Sequence, residues 1–162
     1  MANILVLDDA QTYRDIIGRV LSNLGHAIAY AENGVDVVLQ AEQRMPDVVL
    51  IDTGMDGLET LRALKEYPPT AAIPVVLVSI KLGDVAWQEH GAADYLAKPF
   101  TAQALVAVVY KTLGLSPPEL QDLDELDHTA QCVLELAIAA EALQKALATL
   151  RDTLRPLAEA EN

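Results

Sequence analysis

Residues 47–57 read DVVLIDTGMDG and residues 3–9 read NILVLDD, so an unbroken apolar run ends on aspartate in both. Strands with no polar alternation are those covered by helices on both faces. Working outward, the candidate strands are Ile4–Leu7, Ala27–Tyr30, Val48–Ile51, Val75–Val78 and Tyr95–Ala97, with amphipathic stretches between them. Such alternation predicts βαβ units and a doubly wound α/β domain built on a parallel sheet.

The helices are marked by spacing and by their ends. Tyr13, Ile16, Ile17, Val20, Leu21 and Leu24 recur at helical intervals and stop at Gly25. Asn33 can cap a second helix carrying Val35, Val38 and Leu39. Leu58, Leu61 and Leu64 mark a third, which Pro68 and Pro69 forbid from continuing. A short fourth is expected over Asp84–His90, and a fifth runs from a Thr101 cap to Gly114.

Beyond Gly114 the strand signals cease, which divides the chain into residues 1–115 and a helical extension, 116–162. Ser116, Pro117, Pro118 and Glu119 suggest a helix start. Val133, Leu136, Ala140, Leu143, Leu147, Leu150 and Leu154 then alternate spacings of three and four, a heptad seam that needs a partner. Leu134, Ile138 and Ala139 widen this apolar face, so a bundle or docking onto the first domain is also compatible with it.

Composition narrows the function classes. A net charge of -13, with acidic residues in excess in both parts, offers no basic face to nucleic acid. Glu135, Glu141 and Lys145 interrupt the most apolar stretch, so no membrane span is expected. The first strand has no basic residue ahead of it and runs into Asp8 and Asp9, unlike a targeting leader; with Cys132 as the lone cysteine, a cytoplasmic setting is expected.

Reading only the polar residues at the carboxyl ends of the strands gives Asp8 and Asp9, then Asp52, Ser79 and Lys98. In open α/β sheets this edge binds ligands. Carboxylates gathered there repel, each pair by roughly 4 kcal/mol at about 4 Å with an effective dielectric near 20, so a cation must compensate. A hard divalent ion held by oxygen, Mg²⁺ by default, does this and can clamp a phosphoryl oxygen. Lys98 and the Ser79 hydroxyl complete a set that stabilises developing charge, and an ionised aspartate is the nucleophile of aspartyl-phosphate chemistry.

In these residues the chain from Ala2 to Gly114 resembles the receiver domains of two-component response regulators. The paired Asp8 and Asp9, Asp52, the apolar strand ending in Ser79, and Lys98-Pro99-Phe100 carry the likeness in order and approximate spacing. The resemblance implies a flavodoxin-like five-stranded sheet of order 2-1-3-4-5 and a signalling switch rather than an enzyme acting on external substrates. It implies Asp52 as phosphoacceptor, with Mg²⁺ held by Asp9, Asp52 and the backbone carbonyl of Gly54, and by Asp8 through water. Ser79 would hydrogen-bond the phosphoryl group, Lys98 would pair with it, and Tyr95 would be an aromatic switch. The Lys98-Pro99 bond would be cis. The implied phosphodonor is a histidine kinase or phosphotransfer protein; from the heptad seam of the extension, output by association between proteins is expected, with a homodimer through the C-terminal helix.

Three departures set this chain apart from the pattern. Thr53, Gly54, Met55, Asp56 and Gly57 follow Asp52 directly, a loop shorter than the family's. The stretch from Ser79 to Lys98 is also short, and Ile80 stands where a small residue is usual. A phosphorylation-independent adaptor is the rival these departures favour, and the intact acidic set, Ser79 and Lys98 oppose it.

Other residues have plainer readings. Asp9 alone would be a helix cap, Ser79 alone a loop residue and Tyr95 alone an edge packing residue; their registry with Lys98 singles them out. His128 lacks the basic neighbours expected of a phosphotransfer histidine and reads as a solvated helix residue. His26 and His90 read as structural or surface residues, and Cys132 as packing. Trp87 reads as a lid over the core or a partner contact.

Overall fold

All five apolar runs form strands of one parallel sheet: β1 Asn3–Leu7, β2 Ala27–Tyr30, β3 Val48–Asp52, β4 Val75–Ser79 and β5 Asp94–Ala97, in the order β2-β1-β3-β4-β5. This is the expected doubly wound topology, and its strand order reverses between β1 and β3. The computed structural model describes residues 1–54, 56–80, 88–118, 135, 136, 138–140 and 142–151. Among the described residues, four helices connect or follow the strands: α1 Gln11–Asn23, α2 Gly34–Arg44, α3 Gly57–Glu66 and α4 Ala102–Leu113.

Because successive side chains on a strand point to opposite faces, the continuous apolar runs feed two cores at once. Ile4, Val6, Val48, Leu50, Val76, Val78 and Leu96 pack with α1 and α4 residues such as Ile17, Val20, Leu105 and Val109. Leu5, Leu7, Val49, Ile51, Val75 and Leu77 pack with Val37, Ala41, Leu61 and Leu64 of α2 and α3. Both faces of β3 and β4 are therefore buried throughout, which explains the lack of polar alternation in their sequences.

The helix ends follow local chemistry. The Asn33 side chain accepts the Asp36 N–H at 2.9 Å, and Thr101 Oγ1 accepts the Ala104 N–H at 3.1 Å, each satisfying a donor the helix leaves open. Gly114 closes α4 at φ 65°. Gly57 opens α3 against the end of β3, where a Cβ would stand 2.4 Å from the Asp52 backbone oxygen. Only a residue without a side chain lets α3 begin this close to the strand.

Two expectations need adjustment. Ser116, Pro117 and Pro118 form no helical turn, because Pro118 disfavours helical backbone at Pro117. Of the expected fourth helix, residues 81–87 lie outside the described residues, and residues 88–90 form a turn. Trp87, Glu119, His128, Cys132, Val133, Leu134 and Leu154 also lie outside them. In the extension, residues 138–140 and 142–151 are helical, and Leu136, Leu143, Leu147 and Leu150 are more than half exposed.

Candidate functional site

The carboxyl ends of β1, β3 and the turn after β5 bring three of the expected residues into contact. Lys98 Nζ lies 2.7 Å from Asp8 Oδ2 and 2.7 Å from Asp52 Oδ2, and all three side chains are buried. The pleat explains the convergence. Asp52 continues the face of Val48 and Leu50, and Asp8 and Lys98 continue that of Val6 and Leu96, so all three project toward the α1 and α4 side.

Backbone hydrogen bonds hold these groups in place. Asp8 Oδ1 accepts the Ala10 N–H at 2.9 Å, fixing the turn into α1, and Asp52 Oδ1 accepts the Gly54 N–H at 2.9 Å. The last carbonyls of β4 secure both flanking segments: Thr53 N–H donates to Val78 O at 2.9 Å and Lys98 N–H to Ser79 O at 2.7 Å. The Lys98-Pro99 bond is cis, as the resemblance implied.

Asp8, Asp9 and Asp52 each bring a carboxylate oxygen within 4.8 Å of the others. Asp8 and Asp52 are buried and Asp9 is exposed, so the cluster is open to solvent on the Asp9 side. Three aspartates against one lysine leave two negative charges, the amount a divalent cation balances. Asp8 Oδ2 is buried 2.7 Å from the Lys98 ammonium, so this carboxylate is held by an ion pair and shielded from water. An all-oxygen donor set open to solvent on one side suits Mg²⁺, which keeps several of its waters.

The electrostatics agree with an anionic pocket. Burial raises the Asp8 pKa, and although the hydrogen bond and charge of Lys98 pull the other way, its carboxyl stays above the usual range. Burial works to lower the Lys98 pKa, but hydrogen bonds to Asp52 and Asp8 and their charges outweigh it and hold the ammonium above its ordinary value. Lys98 is thus a firmly protonated counterion.

Ser79 ends β4 and is buried; Ile80 beside it is exposed. Tyr95 lies on β5 against the α2 and α3 core, with its hydroxyl 3.4 Å from the Ser79 carbonyl oxygen, a long contact. Gly54 sits above Asp52 in the turn after β3. The site therefore gathers the acids, Lys98, Ser79 and Gly54 at one edge of the sheet, while Tyr95 packs on the opposite face. His26 and His90 take no part: His26 is buried at the other end of β1, accepting the Ala2 N–H, and His90 is exposed.

One contact had no sequence signal beyond helical spacing. The Tyr13 ring, which reads as a core residue of α1, carries Lys98 Nζ 4.0 Å from its centroid. Its place in the first turn of α1, which follows the Asp8 turn directly, is the hint that it lies near the site.

Residues 4–110 match the family described as the response regulator receiver domain. The chain is 39% identical to protein PilH of Pseudomonas aeruginosa PAO1, in an alignment covering 70% of this chain and 99% of PilH. It is 33% identical to the KDP operon transcriptional regulatory protein KdpE of Escherichia coli K12, covering 62% of this chain but only 46% of KdpE. The chain thus spans less than half of the length of some of the curated relatives it matches. The receiver domain of the sensor histidine kinase PA1611 from Pseudomonas aeruginosa PAO1, solved with a magnesium ion in its active-site cleft, has the same fold, with a TM-score of 0.64, 23% identity and coverage of 70% of this chain and 98% of that one.

Proposed function

This chain belongs to the response regulator receiver domain family, and from that premise we propose that it accepts a phosphoryl group on Asp52 from a histidine kinase or phosphotransfer protein. The observation that carries the reading is the placement of the Lys98 ammonium 2.7 Å from both Asp8 and Asp52 at the carboxyl edge of the sheet. An Asp52 oxygen attacks phosphorus and forms the new O–P bond, while the bond from phosphorus to the donor breaks and the donor keeps its electron pair. Gly54 N–H holds Oδ1 in a fixed orientation during the attack. Lys98 is placed to follow the charge from the carboxylate onto the phosphoryl oxygens, and Ser79 to hydrogen-bond them.

Asp8, Asp9, Asp52 and the Gly54 carbonyl would hold Mg²⁺, which when bound supplies charge neutralisation and a clamp on phosphoryl oxygen. Tyr95 would report the change, its ring packing differently against the α2 and α3 core in the two states. The chain's reactions would be confined to its own aspartate, and no helix among the described residues is long and apolar enough to cross a membrane.

For the extension, residues 116–162, we propose a second copy of the chain as partner. Leu136, Leu143, Leu147 and Leu150 keep the heptad spacing and are exposed, a seam that pairing of two such helices would cover.

Intact-protein mass after incubation with Mg²⁺ and acetyl phosphate tests the phosphoacceptor. The expected result is one phosphate adduct that Asp52→Ala abolishes. An adduct that survives this substitution, or no adduct together with no Mg²⁺ binding, would overturn the assignment.

A further inference from the structure

We propose that Tyr13 is a positioning residue for phosphoryl transfer, holding the Lys98 ammonium in the pocket with the face of its ring. The proposal rests on the reading of Asp52 as phosphoacceptor and adds to it a residue outside the acidic set.

The geometry has three parts. Lys98 Nζ is 4.0 Å from the Tyr13 ring centroid, inside the distance at which a cation is drawn to the negative face of an aromatic ring. Both residues are almost fully buried, at 3% and 5% exposure, so water does little to screen the attraction. The Tyr13 ring is itself held by Phe100, two residues beyond Lys98, at 5.4 Å between centroids and 43° between planes. One ring therefore packs against the segment that carries the lysine and contacts its charged end.

The chemistry gives this contact a purpose. Before transfer, Asp8 and Asp52 bind the ammonium directly at 2.7 Å. During transfer an Asp52 oxygen becomes an ester oxygen and its negative charge passes to the phosphoryl group, so one of the two ion pairs that hold Lys98 must be given up. A ring face has no acceptor atom that the ammonium must leave, and its attraction persists as the lysine turns from carboxylate to phosphoryl oxygen. The long, flexible lysine side chain is thereby kept near the reacting atoms throughout the exchange.

Adduct formation with acetyl phosphate should fall about tenfold in Tyr13→Leu, which keeps an apolar side chain but removes the ring, and should stay within about twofold of wild type in Tyr13→Phe. In a Lys98→Met background the Tyr13→Leu change should have no further effect, since no ammonium remains to be held. In the unphosphorylated protein the ε-methylene protons of Lys98 should show the upfield NMR shift of a group over an aromatic face in wild type and Tyr13→Phe, and lose it in Tyr13→Leu. Equal rates in wild type and Tyr13→Leu would overturn the proposal. So would an undiminished effect of Tyr13→Leu in the Lys98→Met background, which marks a packing role, or a Tyr13→Phe variant as slow as Tyr13→Leu, which would assign the effect to the hydroxyl. A wild-type protein that forms no adduct would instead overturn the phosphoacceptor reading, and the positioning role with it.

Discussion

The Lys98 ammonium lies 2.7 Å from Asp52 Oδ2, with the lysine side chain 2% exposed and that of the aspartate 11%. Removing the lysine leaves two buried carboxylates facing each other, held only by the Ala10 and Gly54 N–H groups. Lys98→Gln should therefore lower stability by about 3 kcal/mol without divalent ions, measured by urea denaturation. Added Mg²⁺ should restore part of the loss. An unchanged denaturation midpoint would mean that solvent already screens the pair.

Asp9 makes a different prediction because it is exposed and lies outside the Lys98 ion pairs. Asp9→Asn should change the metal-free stability by no more than about 0.5 kcal/mol. Wild type should gain thermal midpoint as Mg²⁺ is added, by the linkage of binding to folding, and the variant should lose most of that gain. Calorimetric scans over a Mg²⁺ series read both quantities, and an equal gain in the two proteins would remove Asp9 from the metal site.

A pH dependence arises at the opposite end of β1. His26 Nδ1 accepts the Ala2 N–H at 3.2 Å, and Nε2 is 3.1 Å from the Tyr110 hydroxyl, so the ring is held unprotonated at Nδ1. Burial, and after it the positive N-terminus, lowers the pKa of His26 below its ordinary value. The unfolded chain then takes up the proton first as pH falls. The contribution of His26 is complete above the unfolded pKa of about 6.5 and is lost as pH drops from there toward the folded pKa. Urea midpoints taken between about pH 7.5 and about pH 5.5 should fall more steeply for wild type than for His26→Gln. Parallel slopes would exclude the linkage.

The extension offers a test of assembly. Leu143 is 64% exposed and Leu147 58%, one turn apart on the helical segment 142–151. If this stripe pairs two copies, replacing both by glutamate would bury charge in the seam and should convert a dimer to a monomer in sedimentation or light scattering. The same mass in wild type and variant would exclude self-association through these leucines.

The architecture was legible in the sequence because each element signals itself locally. The unbroken Val, Ile and Leu runs of β3 and β4 require cover on both sides, and Asn33, Thr101 and Gly114 mark helix ends by chemistry that acts within one turn. The acids and Lys98 were legible because strand ends collect at one edge whatever the loops do. The Tyr13 contact was not, since a buried aromatic at helical spacing has the same pattern whether its ring meets a leucine or an ammonium. The role of Asp8 in fixing the turn through Ala10 was likewise hidden, because it depends on side-chain direction. At Ser116 to Pro118 the cap signal misled, since the second proline acts against helical backbone at the first.

The two-sided packing of the sheet reduces to arithmetic on residue numbers. On the strands and at their ends, the even-numbered Val6, Asp8, Val48, Asp52, Leu96 and Lys98 share the side on which charge is handled. The odd-numbered Leu7, Ile51, Leu77 and Tyr95 line the other side, where Tyr95 packs. In a saturation-mutagenesis scan of these strands, phenotypes should therefore sort by parity, with Asp9 and Ser79 at the strand ends as the odd-numbered exceptions: even positions should affect how fast phosphate is gained, and the other odd positions what the domain does once it has it.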